Sequence, residues 1–283
     1  MKNHFYFLGL DPAAAMDKSA DDGALVIGRA RPRRSVLLPA KDAVTDLAQQ
    51  GEVLTSSPVD WLFEYVWAYR LRGASAREWS GLVHAKHSQF GFTRITLDPQ
   101  GGGYWVMNEL NKSRQLINQS ETECTPICAM QDEGVVLGSF VLTLFKRTDP
   151  GIKSLWPLLA GDDVLLDVMH VMYQLALDHA QVVFPPAYDD TPPELRAGLT
   201  PEQDWAWRLL TLVGHQLTNI RVGTKEDGSW DMTARNARRF SAVGRKDMAY
   251  AAIYAYVGFL AWLKTHGGEF GGEEGGEGMF SVC

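Results

Sequence analysis

Apolar residues enter this chain in short unbroken runs before they enter it in helical spacing. Phe5-Tyr6-Phe7-Leu8-Gly9-Leu10 and Gly23-Ala24-Leu25-Val26-Ile27-Gly28 are two such runs, separated by a polar loop, and they read as strands that pair back on each other. Ser35-Val36-Leu37-Leu38 reads as a third short strand, so the chain is expected to open as an antiparallel meander. The polar interval 40–57 ends at Ser56-Ser57-Pro58, a helix-start signal with Asp60 placed to favour the helix dipole. The aromatic segment Trp61–Tyr69 is therefore expected as an amphipathic helix continuing through residues 76–88, with its rings in the core rather than on a base-stacking platform. Phe92–Leu97, a terminal Asp98, the glycine turn 101–103 and a helix from Tyr104 to Ile117 have the layout of a parallel βα unit. Thr125–Met130 reads as a further strand.

Beyond Gly134 the rhythm is less regular. Val135–Phe145 has the pattern of a strand or hairpin, Val164–His179 has helical spacing, and Val182-Val183-Phe184 reads as an edge strand stopped by Pro185 and Pro186. Pro185–Pro193 is a surface loop on this reading, Pro201–Asn219 a helix with Trp205, Leu209, Leu212 and Val213 on one side, and Gly223–Gly228 a turn. Arg245–Leu263, rich in alanine and aromatics, predicts a helix buried on most of its surface. The fold class expected is α/β, an antiparallel meander followed by parallel strands and flanked by helices, in one domain over residues 1–266 with an insertion around 135–235. The glycine- and glutamate-rich tail 267–283 is expected to be disordered.

Composition narrows the class. A chain of 283 residues with 46% hydrophobic residues can build one large core. A net charge of -7 argues against coating a polyanion with the whole surface, so nucleic acid would have to be met locally. Three cysteines, Cys124, Cys128 and Cys283, suit a reducing compartment better than a disulfide framework. The N-terminus runs straight into a strand without a signal-peptide pattern, and no apolar run has the length of a membrane span, which together point to a soluble cytosolic protein.

Three carboxylates stand at the ends of otherwise apolar core elements: Asp11, Asp98 and Asp247. A charge at the end of a buried strand is costly without a partner, and a metal ion is an economical one. Carboxylates from separate elements that converge make an oxygen-lined pocket for hard cations, and two such ions roughly 4 Å apart support phosphodiester hydrolysis. The plain alternative is that Asp11 and Asp98 start turns before Pro12 and Pro99, and that Asp247 complements a helix N-terminus.

The segments Phe7-Leu8-Gly9-Leu10-Asp11-Pro12-Ala13 with Ser19–Val26, then Ile95-Thr96-Leu97-Asp98 with Gly101–Gly103 and Asn108-Glu109-Leu110, then Gly244-Arg245-Lys246-Asp247-Met248-Ala249, occur in this order across nearly the whole chain. In that order and spacing they resemble the nuclease domain of tailed-bacteriophage terminase large subunits. The resemblance implies a ribonuclease H-like mixed sheet and a Mg²⁺- or Mn²⁺-dependent endonuclease that binds two ions and cuts concatemeric viral DNA during genome packaging. It assigns Asp11, Asp98 and Asp247 as metal ligands and catalytic residues. It further implies double-stranded DNA, an N-terminal ATPase domain, a small terminase subunit and the portal protein as partners, no membrane, an isolated domain that is monomeric, and residence in the cytoplasm of the infected bacterial host.

One family feature is missing. No G-x-x-x-x-G-K followed by Ser or Thr occurs, and Gly23–Ala30 lacks the lysine, so ATP hydrolysis is not expected and the chain is either an excised or a separately encoded nuclease domain. Asp21 and Asp22 are candidate outer-shell carboxylates, with hairpin capping as the alternative. Arg33, Arg34, Arg238, Arg239, Arg245 and Lys246 are candidate DNA contacts, and a solvated face is the alternative. Arg29 and Arg31 belong to the same basic hairpin edge. His84 and His87 lack a third ligand for zinc, and Cys124 and Cys128 read as buried thiols. Two other functions remain open on sequence: a Holliday-junction resolvase or transposase-like nuclease, and a non-catalytic DNA- or portal-binding assembly module.

Overall fold

The computed structural model describes residues 4–12, 22–32, 61–99, 102–130, 151–158, 173, 176–178, 180–224, 230–234 and 247–266. Its strands are β1 (Phe5–Asp11), β2 (Asp22–Pro32), β3 (Trp61–Arg72), β4 (Phe92–Leu97), β5 (Arg114–Ile117), β6 (Ser120–Glu123), β7 (Ile127–Ala129), β8 (Ile152–Pro157), β9 (Val182–Val183), β10 (Ile220–Thr224) and β11 (Trp230–Ala234). Its helices are α1 (Ala76–Phe90), α2 (Gly103–Leu110), α3 (Pro193–Arg196), α4 (Pro201–Asn219) and α5 (Asp247–His266).

Among the described residues, seven strands form one sheet in the order β7-β8-β4-β1-β2-β3-β9. β2 pairs antiparallel with both β1 and β3, whereas β1–β4, β4–β8, β7–β8 and β3–β9 are parallel. Every strand except β2 therefore points its carboxyl end to the same edge. A central β4-β1-β2-β3 order with β2 alone reversed and a helix between β3 and β4 is the ribonuclease H-like arrangement.

Two apolar cores cover the two faces of the sheet. On one, Leu8, Leu10, Leu25, Ile27, Ile95 and Leu97 meet Trp79 and Val83 of α1 and Val106, Met107 and Leu110 of α2. On the other, Phe7, Val26, Phe63 and Tyr65 meet Phe259, Trp262 and the alanines of α5, with Leu209 and Val213 of α4 alongside. Each large side chain removed from water in this way contributes roughly 2 kcal/mol.

Helix α5 lies so close to β1 that a Cβ on Gly9 would sit 1.9 Å from the Ala251 carbonyl oxygen. Only glycine opposite alanine permits that approach. The helix runs against the direction of β1: Phe5 stacks near Trp262, Phe7 near Phe259, and Gly9 touches Ala251. The phenol of Tyr65 donates to the Ala252 carbonyl at 2.8 Å and so joins β3 to the same helix.

Two expected helices are corrected. Trp61–Tyr69 belongs to β3, because the sheet buries side chains on both faces of the ribbon and a dense aromatic run satisfies both at once. The pairing with β2 slips between Ile27 and Gly28, where one extra β3 residue is accommodated. The helix begins only at Ala76, set by Ser75 as N-cap in a reciprocal box with Glu78, and it closes at Gly91 with φ 66°. The helix expected over Tyr104–Ile117 ends at Leu110, and Arg114–Ile117 forms β5 of a hairpin whose Gln115 donates to the Glu109 and Lys112 carbonyls.

The meander's third strand is thus β3, while Ser35–Leu38 lies outside the described residues, as do Val135–Phe145 and the tail beyond His266. Helix Pro201–Asn219, the edge strand at Val182–Val183 and the long buried helix appear as expected, although Trp205 is 51% exposed rather than packed with Leu209. No described helix is long and apolar enough to cross a membrane.

Candidate active site at the carboxyl edge of the sheet

Leu10 of β1 and Leu97 of β4 are paired neighbours, so the residues that follow them, Asp11 and Asp98, emerge side by side at the carboxyl edge. This edge is where open α/β sheets hold their ligands. Both carboxylates are half-buried, and the buried Pro12 directly after Asp11 ends the strand. Behind Asp98, a Cβ on Gly103 would lie 1.7 Å from the Asp98 carbonyl oxygen, which explains the glycine turn: α2 starts in direct contact with the strand end.

Asp247 is the first residue of α5 and is also half-buried. From the contact of Gly9 with Ala251, Asp11 lies two strand residues further on, about 6.6 Å. Asp247 lies four helical residues further on in the same sense, about 6 Å. The helix end therefore stands level with the strand end. Asp247, Tyr250, Ala251, Tyr254 and Gly258 form one stripe of α5, and Gly258 packs on Thr96 of β4 while Ala251 packs on Gly9 of β1, so this stripe faces the sheet.

The charge of the strand ends is felt on that stripe. Burial raises the phenol of Tyr254, which is 3% exposed, far above its ordinary range, and the carboxylates of Asp11 and then Asp98 push it higher still. Burial also raises Tyr250, and Asp11 adds to it. Both tyrosines stay protonated, so each presents an O–H beside a carboxylate cluster.

The start of α5 is fixed from outside its own sequence. Gln216 of α4, fully buried, accepts the backbone N–H groups of Met248 at 3.0 Å and Ala249 at 3.2 Å through one Oε1. It takes the place of the N-cap side chain that this helix end requires. Tyr250, Tyr254 and Gln216 were not singled out from the sequence. The tyrosines carried a signal, because they repeat at helical spacing from Asp247; Gln216 carried none, because a cap donated by another helix leaves no local pattern.

The donor set fits a hard divalent cation: adjacent carboxylates on neighbouring strands, a third on the facing helix, and neither thiol nor imidazole among them. Among the described residues, which include all three aspartates, no group of three His, Cys, Asp or Glu side chains is close enough to hold a metal ion. Of the other candidates, Asp22 is the first residue of β2 and is ion-paired with Arg70, with Arg72 Nε at 3.8 Å. Asp21, Arg33, Arg34, Arg238, Arg239, Arg245 and Lys246 lie outside the described residues. Arg29 and Arg31 both close on Glu64 at the amino end of the sheet. His84 is buried and His87 accepts the N–H of Phe92, while Cys124 and Cys128 are in no disulfide among the described residues, and Cys128 is buried.

No protein-family model matches the chain, and no curated protein is similar to it in sequence. Solved structures similar to it are phage large terminase nucleases. The large terminase nuclease from thermophilic phage G20c is 13% identical over 91% of this chain and 83% of that one, with a TM-score of 0.44. The same nuclease with bound magnesium is 13% identical over 91% of this chain and 82% of its own, with a TM-score of 0.47. The large terminase nuclease domain of a Thermus phage is 11% identical over 90% of this chain and 80% of its own, with a TM-score of 0.42.

Proposed function

We propose that this chain is a divalent-metal-dependent DNA endonuclease of the viral genome-packaging type, cutting concatemeric DNA in the cytoplasm of an infected bacterium. The observation that carries the reading is the emergence of Asp11 and Asp98 side by side from parallel β1 and β4, with the first residue of α5 level with them. Asp11, Asp98 and Asp247 are the residues that would hold the metal, with Asp11 as the carboxylate that two ions would share. Bound Mg²⁺ or Mn²⁺ supplies an activated water and stabilises charge on the attacking and leaving oxygens of the phosphodiester.

The chain's own contribution is placement. β1 and β4 hold two carboxylates at a fixed strand spacing, and Gln216 holds the helix that carries the third. Tyr250 and Tyr254, on the same stripe of α5, keep their phenols protonated through burial, with the charge of Asp11 adding to the effect. Its partners on this reading are double-stranded DNA, an ATPase domain that feeds it, a small terminase subunit and the portal.

The test is cleavage of supercoiled plasmid in Mg²⁺ or Mn²⁺ together with Mn²⁺ binding by calorimetry. Asp11→Asn and Asp98→Asn should each lose cleavage and weaken Mn²⁺ binding. Full cleavage by either variant would end the assignment.

A further inference from the structure

The pairing registers extend the site sideways. Asp11 pairs with Ala24 of β2, and Ala24 pairs with Arg70 of β3, so Asp98, Asp11, Ala24 and Arg70 stand in one row across the carboxyl edge. Arg70 lies two strand spacings from Asp11, about 10 Å between backbones. Ala24 and Val26 belong to the core under α5, and Ala68, Arg70 and Arg72 alternate onto that same face after the β3 irregularity. The carboxylates and the two arginines therefore open on one side of the sheet.

The two arginines are held differently. Arg70 forms a close ion pair with Asp22, both side chains being largely buried at 17% and 11% exposure. Arg72 Nε stands 3.8 Å from the same carboxylate, and its side chain is 67% exposed. Asp22 shared by two guanidinium groups leaves this trio with one surplus positive charge. A surface ion pair at that distance adds little to stability, so folding alone gives Arg72 little reason to be arginine. A polyanion approaching Asp11 and Asp98 meets repulsion, and in a chain of net charge -7 a cationic neighbour at this rim is what offsets it.

We infer that Arg70 and Arg72 form a phosphate seat that grips the DNA backbone beside the phosphate being cut, with Asp22 orienting Arg70 and Arg72 reaching outward. The inference rests on the nuclease reading for its substrate, but its test does not use cleavage. Binding of a fluorescently labelled DNA duplex is measured by anisotropy in EDTA over a salt series.

Arg72→Gln should weaken binding several-fold and lower the salt slope by about 1. Arg31→Gln, at the opposite end of the ribbon, should leave both affinity and slope unchanged. An Arg72→Gln protein that binds with wild-type affinity and slope overturns the seat, even if the wild type cleaves DNA. Loss of cleavage by Asp11→Asn with duplex binding in EDTA retained or tightened separates the two sites, and a wild-type chain that cleaves nothing yet loses duplex affinity on Arg72→Gln overturns the nuclease reading alone.

Discussion

The β2–β3 ribbon carries one carboxylate flanked by two arginines at each of its ends. At the amino end of the sheet, Glu64 of β3 receives Arg29 through Nε at 3.0 Å and Nη2 at 2.5 Å, and Arg31 through Nε at 2.9 Å and Nη2 at 2.7 Å. Each carboxylate oxygen accepts a forked pair, so the cluster is closed. Burial pushes the Glu64 carboxyl up, but the hydrogen bonds from Arg31 and Arg29 outweigh it and hold it below the usual carboxylate range. At the carboxyl end the roles reverse, with Asp22 on β2 and the arginines on β3, and only Arg70 is tightly held. One carboxylate and two arginines make a closed fastening where both forks are satisfied, and leave a guanidinium open to solvent where one is not.

The same contrast separates the two ends of the sheet as a whole. Around the amino end, charges are paired and aromatic rings of Phe5, Trp61 and Trp262 pack edge to face. At the carboxyl edge the pairing of Leu10 with Leu97 brings Asp11 and Asp98 out on neighbouring strands.

The largest expected effect breaks the symmetry between these ends. Asp11→Asn should lower plasmid cleavage by about 100-fold or more, in line with the loss of a metal ligand. In metal-free buffer its effect on the melting temperature should be small beside that on cleavage. Glu64→Gln should do the opposite, leaving the cleavage rate unchanged and costing about 1 kcal/mol by urea denaturation, because its partners are a third exposed and partly screened.

A substitution under the carboxyl edge should be nearly as severe. Gly9→Ala places a methyl against the Ala251 carbonyl and should cost up to about 3 kcal/mol of stability by denaturant titration.

Acid separates the clusters on the pH axis. Burial first, and His87 nearby, lower the His84 imidazole from 6.5 to about 4, against a hydrogen bond to the Leu110 backbone that raises it. The unfolded chain therefore takes up that proton first. Stability is full above pH 6.5 and falls by up to about 3 kcal/mol as pH drops to about 4. The Glu64 cluster, with a lowered carboxyl, is lost only below 4.5. A His84→Gln variant should flatten the stability curve between pH 6.5 and 4.5, and a curve of unchanged slope there would exclude His84 as its source.

The smallest expected effect sharpens the role of placement. Gln216→Ala removes the shared acceptor of two helix N–H groups and should cost about 1 kcal/mol in thermal or urea melts. Cleavage should fall more than stability explains, because Asp247 begins that helix.

The strands that frame the site were legible in the sequence because β1, β2 and β4 are short apolar runs bounded by breakers, and the row of Asp11 and Asp98 followed from strands ending in a carboxylate before proline. β3 was misread because a strand buried on both faces loses the alternation that identifies strands, and its aromatic run imitates a helix face. The signal that corrects it lies downstream, in the Ser75–Glu78 capping box that sets the helix start at Ala76. Once β3 is taken for a helix, Arg70 and Arg72 cannot be placed beside Asp22. Gln216 was not legible at all, since it serves a helix end 32 residues away in the chain.

The central claim is that the carboxyl edge holds divalent metal between Asp11 and Asp98. Crystals soaked in Mn²⁺ and measured for anomalous scattering test it most directly. A manganese peak shared by the carboxylates of Asp11 and Asp98, with Asp247 completing the site, is the expected result; at saturating Mn²⁺, an anomalous map with no peak touching either aspartate would overturn the metal site.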